Sequence, residues 1–118
     1  EFVEKTFGVK VAKLLIMGHS MGGGTAIAFN NGGLPLKAVA VFAPAGQRLS
    51  EVVAKVPTYL AIGKQDMAML TTSATRLKPQ VLATPGGFFK EFDPCEHTMV
   101  VPDAISEAYA FFDNVLKK

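Results

Sequence analysis

Four apolar runs of strand length recur along the chain, separated by turns and helix-like stretches. The first, Val11 to Met17, is nearly continuous, interrupted only by Lys13. A run of that kind suits a strand covered on both faces, as in a parallel sheet. The second, Lys37 to Ala43, is stopped by Pro44, and the third, Thr58 to Gly63, is opened by Pro57. The fourth is Phe88-Phe89-Lys90-Glu91-Phe92.

The intervening segments read as helices. Glu1 to Phe7 resembles a helix tail with Gly8 in the αL position beyond it. Thr25 to Asn30 continues from a tight turn as a small-residue helix ending at Gly32-Gly33, and Leu49 to Lys55 is a short helix that Ser50 can cap. A helical stretch around Ser73 to Leu77 leads through Pro79 to the fourth strand. The end of the chain is an amphipathic helix opened by Pro102, with Ile105, Ala108, Phe112 and Val115 or Leu116 as its buried stripe. Strand starts near 11, 37, 58 and 88 leave the length that a βαβ unit needs. Strands alternating with helices predict an α/β fold: one parallel sheet with flanking helices, in a single domain over residues 1–118.

Composition changes this picture in one respect. Apolar residues make up 49% of the chain and charged residues 19%, with mean hydropathy +0.28. A chain of 118 residues buries a limited fraction of its surface. The surplus implies that some apolar surface is meant to be covered by something else. Net charge is +2, and the basic residues are scattered singly except for Lys117-Lys118, which argues against a nucleic-acid partner. The longest uncharged run, Leu14 to Leu36, is broken by His19, Asn30, Asn31 and many glycines, so no membrane span is predicted. A single cysteine, Cys95, excludes an internal disulfide and leans toward a reducing, cytoplasmic setting, unless it pairs outside this chain.

The candidate chemistry lies at the end of the first strand, in Gly18-His19-Ser20-Met21-Gly22. A Gly-x-Ser-x-Gly match arises by chance in roughly one chain of this length in twenty-five, so context decides. The motif needs a buried strand before it and a helix after it, because its serine occupies a strained strand-to-helix turn. Both flanks are present. Gly18 and Gly22 are read as the residues that permit the sharp turn and close helix packing. Ser20 is then a nucleophile held at a helix N-terminus, where the Met21 N–H can meet a developing oxyanion.

A serine hydroxyl needs a base. Of the two histidines, His19 adjoins Ser20 on the turn and is read as packing beside the sheet end. His97 follows the fourth strand, in the loop region where α/β sheets collect functional groups, and is the candidate base. Asp66, after the third strand, is the candidate carboxylate that orients it, with Asp93, Glu96 and Asp103 as rivals. Phe42, Met67, Phe88 and Phe89 are candidates for an apolar substrate pocket, although core packing explains each equally well. No metal is indicated, since contiguous Cys95, Glu96 and His97 lack the spacing to converge on one ion. No cofactor motif appears either, as no Lys-Ser or Lys-Thr follows Gly22-Gly23-Gly24.

Together, Gly18-His19-Ser20-Met21-Gly22-Gly23, the strand end Val41-Phe42-Ala43-Pro44, the Gly63-Lys64-Gln65-Asp66 segment and His97 before a final helix resemble the α/β-hydrolase superfamily. The likeness leans to its esterase-like branch of dienelactone hydrolases, cutinase-like enzymes and acetylhydrolases. The resemblance implies Ser20 as nucleophile, Asp66 as acid, His97 as base and the Met21 N–H as one oxyanion donor. In that family the nucleophile follows the fifth of eight strands. The resemblance therefore implies that this chain is the C-terminal half of the fold, with earlier strands and the second oxyanion donor supplied by a complementary N-terminal segment. The expected activity is hydrolysis of a small-molecule carboxylic ester through an acyl-enzyme. Alternatives are a serine peptidase or amidase of the same fold, or a non-catalytic fragment that needs a partner segment.

Overall fold

The structure is a computed structural model that describes residues 14–28, 36–46 and 53–117. Its elements follow in the order β1 (Leu14–His19), α1 (Met21–Ala28), β2 (Leu36–Phe42), β3 (Thr58–Gly63), α2 (Ala68–Ala83), β4 (Phe88–Phe92) and α3 (Val100–Leu116). The four strands form one sheet in the order β1-β2-β3-β4, and every neighbouring pair is parallel. This is the parallel α/β architecture expected from the alternating pattern.

Burial along the strands shows where the core sits. All six residues of β3 and the stretch Ala38 to Phe42 of β2 are buried, so side chains pointing to either face are covered. β1 behaves differently. Leu15 to His19 are only half-buried, because β1 pairs with β2 alone among the described residues. Covering on both faces is thus reached by β2 and β3, not by the run from which it was first inferred. The initial residues of that run, the helix tail at Glu1 to Phe7 with Gly8, and most of the helix expected at Leu49 to Lys55 lie outside the described residues; Val53 to Lys55 are not helical.

The helices have longer bounds than their sequence signals. α1 begins at Met21, directly after the serine, and buries Gly23, Ala26 and Ile27 against β1 and β2. α2 extends from Ala68 to Ala83 with Pro79 inside it. A proline there removes one helical hydrogen bond and crowds the preceding turn, at a cost of about 3 kcal/mol. The buried stripe Leu70, Ala74, Leu77 and Val81 continues across it, so burial on both sides of the proline holds the helix together. α3 opens two residues before Pro102 and buries Val100, Ala104, Ala108, Phe111, Phe112 and Val115. Ile105 is half-buried and Leu116 is exposed, which shifts the stripe slightly from the expected one.

Candidate active site

Ser20, Asp66 and His97 each follow a strand of the parallel sheet, so all three fall at the same, C-terminal edge. The elbow that carries Ser20 is shaped by backbone forces. The Ser20 N–H donates to the Phe42 carbonyl (2.9 Å), while the Ser20 carbonyl accepts from Gly24 N–H (3.0 Å) and Ala45 N–H (2.8 Å). These bonds hold Ser20 at φ 59°, a left-handed conformation that is costly for a residue with a Cβ. Ala43, one strand over, is held similarly at φ 47° with its N–H on the Ala61 carbonyl (2.8 Å).

The glycine requirement is met as expected at Gly18 but not at Gly22. A Cβ on Gly18 would overlap the Gly22 carbonyl, and one on Gly24 would overlap the Ala45 carbonyl. A Cβ on Gly22 would meet nothing within 4 Å. Gly18 is therefore needed because the Gly22 backbone folds back on it, and Gly22 itself has room for a side chain.

The side chains form a continuous hydrogen-bonded line. Ser20 Oγ lies 2.9 Å from His97 Nε2, and His97 Nδ1 lies 2.9 Å from Asp66 Oδ2. A carboxylate only accepts, so Nδ1 carries the proton toward Asp66 and Nε2 is left to accept from the serine hydroxyl. The Asp66 carboxylate is fully buried at its side chain, whereas the His97 ring is 24% exposed. The second oxygen of Asp66 is also engaged, accepting from the Met67 N–H at 2.7 Å as α2 begins. Met21 supplies the first N–H of α1, one of those that a helix leaves without an intrahelical partner.

Gln65 links the loops that carry Asp66 and His97. Its Nε2 donates to Asp93 Oδ1 (2.9 Å), its Oε1 accepts from the Cys95 N–H (2.6 Å), and its own N–H donates to the Cys95 carbonyl (3.0 Å). Lys64 adds a backbone bond to Phe92 (2.9 Å) and a 3.5 Å ion pair with Asp93. Asp93 is thus turned toward Gln65 and Lys64, and Asp103 sits in the first turn of α3. Of the four carboxylates weighed as partner for His97, Asp66 is the one that reaches it.

Cys95, beside this network, is buried. Burial pushes its thiol up to about 11, assisted by a hydrogen bond to Asp103 and by the charges of Asp103, Asp66 and Glu96. The thiol stays protonated at neutral pH and is a poor nucleophile there.

The apolar candidates do not share one place. Phe42 is buried in the core, edge-on to Tyr59. Phe88 and Phe89 open β4 at the opposite edge of the sheet, where Phe88 stacks on Tyr59 with ring centroids 5.8 Å apart. Core packing accounts for Phe42, and position along the strand removes Phe88 from the Ser20 edge. Met67 remains beside Asp66 and is exposed. It is accompanied by residues that the hydropathy pattern did not single out. Met21, Met69 and Met99 are also exposed; all five methionines lie within three residues of Ser20, Asp66 or His97, and four of them are exposed.

His19, the last residue of β1, lies at the sheet end as expected, and there it also meets the loop that carries His97. Its Nε2 lies 2.9 Å from the His97 carbonyl, and its ring centroid is 4.7 Å from that of His97. Sequence adjacency to Ser20 does not send the two side chains to unrelated surroundings, because the loop carrying His97 folds over both.

The sequence matches no protein-family model and no curated protein. Solved structures do resemble the fold. A CIB-like hydrolase from Thermoplasma acidophilum superposes with a TM-score of 0.67 at 22% identity, over 92% of this chain and 53% of its own. MGS-MChE2, an α/β hydrolase from a sediment metagenome of the Mar Chica lagoon in Morocco, gives 0.69 at 16% identity, over 96% and 66%. Esterase PE8 gives 0.67 at 21% identity, over 97% and 55%. The chain has the α/β-hydrolase fold, and it spans about half to two thirds of the length of these structures.

Proposed function

We propose that the protein is a serine hydrolase acting on carboxylic esters through an acyl-enzyme. The observation that carries this reading is the unbroken line from Ser20 Oγ through His97 to the buried Asp66 carboxylate, on a serine held at φ 59°. Ser20 Oγ attacks the ester carbonyl carbon as His97 Nε2 takes its proton, and Asp66 stabilises the imidazolium that forms. The Met21 N–H donates to the tetrahedral oxyanion. Collapse expels the alcohol, which leaves with the proton from His97. Water, deprotonated by the same nitrogen, then cleaves the acyl-serine.

Two further parts belong to this proposal. The chain acts as the C-terminal half of the catalytic domain, and the second oxyanion donor comes from a segment outside it. The exposed methionines around the three residues favour an apolar acyl group, since their flexible, polarisable side chains adapt to such surfaces.

The test is labelling with a fluorophosphonate, followed by peptide mapping and by turnover of matched ester and amide substrates. An adduct on Ser20 that disappears in Ser20→Ala, with ester turnover exceeding amide turnover, is the expected result. An adduct elsewhere, or none on the folded enzyme that includes the segment with the second oxyanion donor, rejects Ser20 as nucleophile; faster amide turnover replaces the esterase reading with an amidase.

A further inference from the structure

We infer that His19 is a positioning residue for His97, fixing the base from behind while Asp66 fixes it from the side. The inference builds on the reading of His97 as the base, but its geometry stands independently. A carbonyl oxygen can only accept, so the 2.9 Å contact requires His19 Nε2 to carry a proton and donate it to the His97 main chain. The same ring lies against the His97 imidazole, with centroids 4.7 Å apart and planes 32° from parallel. One side chain therefore restrains both the backbone and the ring of His97.

The restraint falls where the loop most needs it. Upstream, the loop is tied to Gln65 at Cys95, and downstream the Met99 N–H donates to the Glu96 carbonyl as the chain enters α3. His97 stands between these anchors, 78 residues from His19 in sequence. His19 in turn is rigidly placed, as the last residue of β1 in register with Phe42. The elbow thus holds both the group that loses a proton and the group that aligns its acceptor, so Ser20 and His97 share one frame. Alignment of this kind governs proton transfer, for which small displacements of the reacting groups cost rate.

Three variants separate the two contacts. His19→Gln keeps an N–H donor without the ring, His19→Phe keeps a ring without the donor, and His19→Ala removes both. The readout independent of turnover is the low-field proton NMR signal of the His97 Nδ1–H, recorded on the full chain with thermal unfolding as a control. The signal is expected to persist in His19→Gln and to broaden or vanish in His19→Phe and His19→Ala. Ester turnover should follow it: kcat falls roughly tenfold or more in His19→Phe, the rate equivalent of about one hydrogen bond, with KM nearly unchanged. An unchanged Nδ1–H signal in all three folded variants overturns the inference. So does a change confined to KM, which would make His19 a substrate contact. If the fluorophosphonate never labels Ser20 in the parent protein, the esterase reading falls, while the NMR comparison still decides the role of His19.

Discussion

At their C-terminal ends the four strands pass into loops bonded to one another, whereas at their N-terminal ends β2, β3 and β4 border a cavity of about 650 Å³. The first end is held by polar contacts: Gln65 to Asp93 and Cys95, Asp66 to His97, and Ser20 to Phe42 and Ala45. The second is apolar, with Tyr59, Phe88, Phe111 and Val115 around the cavity and Lys37 and Lys117 at its rim. A polar link runs there from the Tyr59 hydroxyl to Glu107 Oε1, at 2.7 Å. Burial, followed by that hydrogen bond and the charge of Glu107, pushes the Tyr59 phenol well above its usual value. This cavity is therefore not where the candidate chemistry is. One end of the sheet orients side chains, and the other contributes buried area.

If that division holds, variants at the two ends should separate rate from stability. The largest effect belongs to Ser20→Ala. Ester turnover should fall by on the order of 10⁴ to 10⁶, with the unfolding midpoint in urea almost unchanged. Next, Gln65→Ala removes the side-chain bonds to Asp93 Oδ1 and the Cys95 N–H and keeps the main-chain bond to the Cys95 carbonyl. It should lower kcat roughly 10- to 100-fold through misalignment of His97 against Asp66, read in steady-state kinetics beside a small shift in Tm. A large Tm loss with unaltered kcat per folded molecule would make Gln65 a stability residue and blur the comparison.

Tyr59→Phe tests the other end. Leaving Glu107 without its donor should cost about 1–2 kcal/mol in denaturant unfolding, with turnover preserved. The smallest effect is a pH slope. The Cys95 thiol is raised from 9.0 to about 11 in the folded protein, so the fold binds its proton more tightly than the unfolded chain does. Its contribution is complete below pH 9 and is lost as pH rises from there toward about 11. Tyr59, also raised, adds a second loss that begins only near pH 10. Cys95→Ala should flatten the stability profile between pH 9 and 10 and make the fall from pH 10 to about 11 shallower, leaving the Tyr59 part, measured by urea titrations at each pH.

These contrasts also explain what could be read from the sequence. Strands expected near 11, 37, 58 and 88 are found from Leu14, Leu36, Thr58 and Phe88, because each apolar run ends at a glycine, a proline or a charged turn. Ser20, Asp66 and His97 were legible because each follows its own strand, and a parallel sheet brings strand ends to one edge. His19 and Gln65 were not legible. Their partners, the Asp93 carboxylate and main-chain groups of Cys95 and His97, all lie in the 93–97 loop, and no hydropathy pattern encodes the path of a loop. Phe88 misled for a related reason. Its apolarity marked a contact correctly, but the contact is Tyr59 at the cavity end.

Gly18 and Gly24 cannot accept a Cβ, yet the position held at φ 59° between them carries a serine. A glycine at position 20 would adopt that backbone without penalty, with a gain of about 1 kcal/mol or more. A library of variants sorted only for resistance to unfolding should therefore drift toward Ser20→Gly and become inert as it becomes sturdier. Function and durability compete at this one residue, and screens that reward the second without assaying the first will erase the hydroxyl.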